Sequence, residues 1–68
     1  MRSLWNLHDL VRAAQNVVDK PDDVLANGGA AYYAQRDATA AQCRDASTMH
    51  FTSPKARTVL LGWAEKRS

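Results

Sequence analysis

The chain has 68 residues, 46% of them hydrophobic and 24% charged, with a formal net charge of +2. A chain this short makes one domain at most and buries only about 60% of the surface its unfolded state exposes. A single helical domain over residues 1–68 is therefore expected, with a small core; the apolar content and low net charge argue against disorder, and no apolar run approaches the roughly 20 residues of a membrane span.

The first helix is predicted to run roughly from Ser3 to Asp19. Leu4, Leu7, Val11, Ala14 and Val18 fall on one stripe at spacings of three and four, and Leu10 and Val17 widen it. Ser3 is the expected N-cap. The opposite face carries His8, Asp9, Arg12, Gln15 and Asn16, and Trp5 projects from that polar side. Lys20-Pro21 ends the helix, because the residue before proline is pushed out of the α region.

Pro21, Asp22 and Asp23 open a second segment: proline suits a first helical position, and acids suit the positive first turn. Asn27-Gly28-Gly29 interrupts it, since two glycines inside a helix cost about 2 kcal/mol relative to alanine. A break or kink is expected there, leaving a short helix from Pro21 to Asn27. From Ala30 to Ala46 the chain reads as one alanine-rich helix. Ala31, Ala34, Ala38 and Ala41 form a small-residue seam, the expected surface for self-association. Tyr32, Thr39, Cys43 and Ala46 make a second stripe, and a helix with two such stripes is expected at the centre of the fold.

Ser47 to Thr52 is a connection whose Met49 and Phe51 are expected to fold back on the core. Ser53-Pro54 reads as N-cap and first position of a third helix. Ala56, Val59, Leu60, Trp63 and Ala64 form its apolar face, Leu61 points away, and Lys66 and Arg67 complement the dipole at its end. No segment shows sustained two-residue alternation, so β-structure is not expected. The expectation is an all-α, three-helix bundle, with a fourth short helix at Pro21–Asn27 as a variant. The small core and the alanine seam make it an expected homodimer.

Chemistry is hard to find. Cys43 is the lone cysteine, which rules out a disulfide within the chain and suits the reducing cytoplasm. The N-terminal residues Met1 to Trp5 lack the apolar stretch of a secretory leader. His8, His50 and Cys43 have no chelating spacing, so neither metal nor cofactor is expected. Nothing next to Cys43 in sequence activates its thiol, and a cysteine in an alanine-rich helix reads as a small buried hydrophobe. Asp22-Asp23 reads as a dipole complement, not an acid–base pair. Asn27-Gly28-Gly29 lacks the lysine and hydroxyl of a phosphate-binding loop.

Two functional readings follow. The leading one is a non-enzymatic interaction module that regulates or inhibits another protein. Its candidate contact residues are Trp5, His8, Asp9, Arg12, Tyr33, Arg36 and Leu61, which combine off-stripe apolar side chains with the residue types that dominate interface energy. Small alanine-rich chains without a site are typical of accessory regulators and phage-encoded inhibitors, which is an association by type. The alternative is a DNA-binding regulator of helix-turn-helix type, built from Val24–Asn27, the glycines and the helix from Ala30. Gln35 and Arg36 would then read bases, and Lys55, Arg57, Lys66 and Arg67 would meet phosphates, with a positive face shared by Arg36, Arg44, Lys55 and Arg57. Asp37 and Asp45 oppose that reading, since acids near a phosphate backbone repel it.

Overall fold

The computed structural model describes residues 5–22, 30–50 and 53–67. All regular structure among these residues is helical, as expected: α1 (Leu7–Asp19), α2 (Ala30–Asp37), α3 (Ala40–Ala46) and α4 (Pro54–Lys66). The expected cap Ser3, the stripe residue Leu4, Phe51 and the segment from Asp23 through the two glycines lie outside the described residues. Pro21 and Asp22 are helical.

α1 starts later than the periodicity predicts. Asn6 is extended (φ −84°, ψ 165°), and its Oδ1 accepts the Asp9 backbone N–H at 2.8 Å. This satisfies one of the amide groups that every helix leaves unpaired at its start. The helix closes at Lys20, whose N–H reaches the Asn16 carbonyl at 2.7 Å, one residue before Pro21. Leu10, Val11, Ala13 and Ala14 are buried, while Leu7, Val17 and Val18 are half-buried. The buried face is thus rotated toward Leu10 and Ala13 relative to the predicted stripe.

The expected single helix from Ala30 to Ala46 is two helices. Thr39 is extended (φ −80°, ψ 161°) and caps α3 through a reciprocal pair of bonds. Its Oγ1 accepts the Gln42 N–H at 3.1 Å, and Gln42 Oε1 accepts the Thr39 N–H at 2.9 Å. Such a Thr-x-x-Gln box satisfies two orphan amides at once, which offsets the loss of helical continuity. The same Gln42 donates through Nε2 to the Trp5 carbonyl at 2.8 Å, tying the N-terminal segment to α3.

α3 ends in tight turns: Thr48 and Met49 donate to the Asp45 and Ala46 carbonyls, each at 3.1 Å. Ser47, the one buried polar residue among those described, is satisfied, its Oγ donating to the Arg44 carbonyl at 2.6 Å. α4 begins as expected. Ser53 Oγ accepts the Ala56 N–H at 3.1 Å with Pro54 at the first position. Ala56, Leu60, Trp63 and Ala64 are buried, Val59 is half-buried and Leu61 is exposed.

The central element is α1, which packs against α2, α3 and α4; α3 also packs against α4. The expected central position of the alanine-rich segment is corrected for a physical reason. Once capped at Thr39, that segment is two short helices, and the 13-residue α1, with its wide apolar arc, is the element that meets all three neighbours. Eight of the thirteen core residues are alanines, around Leu10, Val11, Cys43, Leu60 and Trp63, with Trp5, Leu7, Val17, Ala40, Met49 and Val59 packed on the outside. Met49 therefore folds back as expected. Alanine brings backbones close but removes little apolar surface per residue, so stability here rests on tight helix contact.

That contact consumes the predicted seam. Ala31, Ala34 and Ala38 are at most 2% exposed within a single copy, and of the four only Ala41 is exposed. Ala38→Leu is expected to cost roughly 1–3 kcal/mol by overpacking, read as a lower denaturation midpoint. An unchanged midpoint would show that the core around Ala38 has room to spare.

Candidate functional site

Two of the contact residues proposed from sequence meet on α1. His8, Val11, Arg12, Gln15 and Asn16 line an open depression of about 460 Å³ on its outer side. The spacing explains the grouping, since steps of three and four keep residues on one helix face. Val11 is buried, whereas His8 and Arg12 are exposed. Gln15 is partly committed, its Nε2 donating to Asp19 Oδ1 at 3.1 Å. Asp9 is exposed but does not line the depression.

A second group forms on α2. Tyr33 and Arg36 are exposed, as expected, and Tyr32 joins them. The second apolar stripe had placed Tyr32 inward; it is 42% exposed, and Tyr33 is 53% exposed. The two rings meet edge to face, with centroids 5.4 Å apart and planes at 81°. One turn on, the Arg36 guanidinium lies over the Tyr32 ring, 5.6 Å from its centroid, and donates to the Tyr32 hydroxyl at 3.3 Å. A cation over an aromatic face contributes about 0.5–1 kcal/mol at an exposed site. It also favours the Arg36 conformers that lie against the ring, which lowers the entropy lost when the cluster is covered. Sequence reading missed Tyr32; its i, i+4 relation to Arg36 was the available signal.

Leu61 is 45% exposed on α4, as expected. Trp5 is placed differently from the prediction. It precedes the Asn6 cap, so it is not on a helix at all, and it packs half-buried against the core with its carbonyl held by Gln42. The helical projection that set it on the polar face of α1 does not apply to an extended residue.

The groups weighed for catalysis differ in their access to solvent. Cys43 is fully buried, while His8 and His50 are exposed. Burial pushes the Cys43 thiol above its ordinary pKa, and the positive charges of Arg67 and Arg44 pull it only part of the way back. Among the described residues no group of three or more His, Cys, Asp or Glu side chains is placed to hold a metal ion. None of the described helices is long and apolar enough to cross a membrane.

The cationic set weighed for DNA, Arg36, Arg44, Lys55 and Arg57, is exposed but drawn from three helices, and Asp37 and Asp45 are exposed among them. Gln35 is half-buried, Lys66 is exposed, and Arg67 donates to the Trp63 carbonyl at 3.3 Å. Val24–Asn27 and the two glycines of that reading lie outside the described residues. Compared with protein-family models, curated proteins and solved structures, the chain has no match.

The burial of Trp5 and Cys43 sets the expected outcomes. Trp5→Ala should lower the denaturation midpoint, by about 2 kcal/mol for a half-buried tryptophan, and a variant melting like the parent would refute its structural role. Cys43 should react slowly with a thiol reagent at neutral pH, and Cys43→Ala should cost about 1 kcal/mol, the scale of one buried methylene-sized group. The unfolded thiol ionises near about pH 8.5, and the folded one ionises higher. Above the unfolded value, the unfolded chain releases a proton that the folded chain keeps. Stability should therefore fall as pH rises through that window, and Cys43→Ala should flatten the fall.

Proposed function

We propose that the protein is a non-enzymatic helical interaction module that regulates or inhibits another protein by binding it, and that the Tyr32–Tyr33–Arg36 cluster on α2 is its main contact. The observation that carries this reading is the cluster itself. Two tyrosines and an arginine stand exposed on one short helix, with the guanidinium over a ring. Tyrosine and arginine are enriched at binding hot spots because they combine large apolar area with directed hydrogen bonds. His8 and Arg12 on α1 and Leu61 on α4 serve as further contacts. Trp5 is dropped from that set, because its side chain is engaged with the core.

Placement in the cytoplasm, action without a cofactor and kinship of type with phage accessory inhibitors belong to the same proposal. The DNA-binding alternative draws less support, since acids lie among its exposed cations and +2 is a small net charge for a phosphate-tracking surface.

The test is affinity capture from a lysate of the encoding organism, followed by titration of the captured protein. Tyr33→Ala and Arg36→Ala should each weaken binding about tenfold or more, the usual hot-spot size, while leaving the denaturation midpoint within about 0.5 kcal/mol, as surface changes do. Binding unaffected by both substitutions would remove the cluster from the contact. Capture of nucleic acid alone, with affinity falling steeply in salt, would favour the DNA reading.

A further inference from the structure

We propose that a second copy of this chain docks antiparallel along the outer ridge of α4, with Lys55 of each copy against Glu65 of the other and the two helices closest at Gly62. The proposal rests on the reading of the chain as self-associating, but it uses a surface other than the alanine seam, three of whose four residues are buried inside each copy.

The ridge consists of Lys55, Thr58, Leu61, Gly62 and Glu65, all exposed and spaced three or four apart, opposite the face that packs on α1 and α3. Three features of it have no explanation within one copy. First, its charges run against the helix dipole. Lys55 stands in the positive first turn and Glu65 in the negative last turn, each a place where the opposite sign is favoured. Second, Gly62 interrupts a helix interior where nearly any other residue is more favourable. A Cβ built there meets nothing within 4 Å, so none of the described residues demands glycine. Third, Leu61 leaves a large apolar side chain in water beside it.

A twofold axis answers all three. In an isologous pair, if residue i meets residue j then j meets i. Setting Lys55 against Glu65 centres the axis on residue 60, and the same axis sets Thr58 against Gly62 and brings the Leu61 side chains of the two copies to the same flank of the contact. Each misplaced charge then meets its opposite, Gly62 admits close approach of the partner backbone, and Leu61 is covered. The helix dipoles also run antiparallel. One pair of 13-residue helices makes a small interface, so the dimer is weak and forms in the micromolar range and above.

Sedimentation equilibrium from about 10 to about 300 μM, a range suited to a small interface, tests this with four variants. Lys55→Glu and Glu65→Lys should each weaken dimerisation at least about tenfold, since each places two like-charge pairs across the axis. The double reversal should restore it. Gly62→Gln should abolish dimerisation while raising the denaturation midpoint of the monomer, so loss of the dimer cannot be ascribed to misfolding. A parent chain that stays monomeric throughout overturns both this proposal and the self-association reading. A dimer indifferent to these four variants overturns the α4 surface alone and leaves self-association standing on another face.

Discussion

The reciprocal cap between Thr39 and Gln42 shapes the architecture more than any other single contact. By propensity alone, the run from Ala30 to Ala46 would form one straight helix of about 25 Å, able to lie along only part of its surroundings. The cap breaks it into α2 and α3 at a small cost, because the amides released by the break are bonded by the Thr39 hydroxyl and the Gln42 amide. Two short helices can then approach α1 separately, and α3 can also reach α4. Gln42 serves a second purpose by holding the Trp5 carbonyl, so the same residue that ends one helix fixes the path of the chain into another.

Everything inside that frame is small. With eight alanines in the core, helices pack at close range and rely on many weak dispersion contacts instead of a few bulky anchors. Leu10, Cys43 and Leu60 supply most of the fully buried bulk, and Trp5 and Trp63 cover its ends and sides. Burial disfavours an ionised thiolate at Cys43 more than the charges of Arg67 and Arg44 favour it, so the neutral form prevails. The one buried hydroxyl, on Ser47, is bonded locally, and among the described residues no buried side-chain polar atom lacks a partner.

The outside shows a different economy. Large side chains that would have strengthened the core are instead displayed: Tyr32 and Tyr33 on α2, and Leu61 on α4. A chain of this size has little apolar material to spare, so such display weighs toward surfaces that are covered in use. The two surfaces differ in kind. The α2 cluster is aromatic, with a cation–ring contact of its own, whereas the α4 ridge carries opposite charges at its two ends.

The sequence by itself determined the helical class, the start and apolar face of α4, the end of α1 before Pro21, the burial of Cys43 and the exposure of Leu61, Tyr33 and Arg36. Each of these follows from local rules: a cap residue followed by proline, a three-and-four spacing, a lone thiol among alanines. What the tertiary structure decided was where local rules compete or are silent. Asn6 and Ser3 are both good caps by residue type, and in the structure Asn6 caps the first described turn, at Leu7. Thr39-x-x-Gln42 was legible as a capping box but lay inside a strongly helix-prone run, and only packing against α1 and α4 tips that balance toward the break. The fate of the alanine seam, turned inward rather than toward a second copy, and the tucking of Trp5 depend on contacts between residues far apart in the chain. Periodicity states which residues share a face, but which neighbour covers that face is set by the three-dimensional arrangement alone.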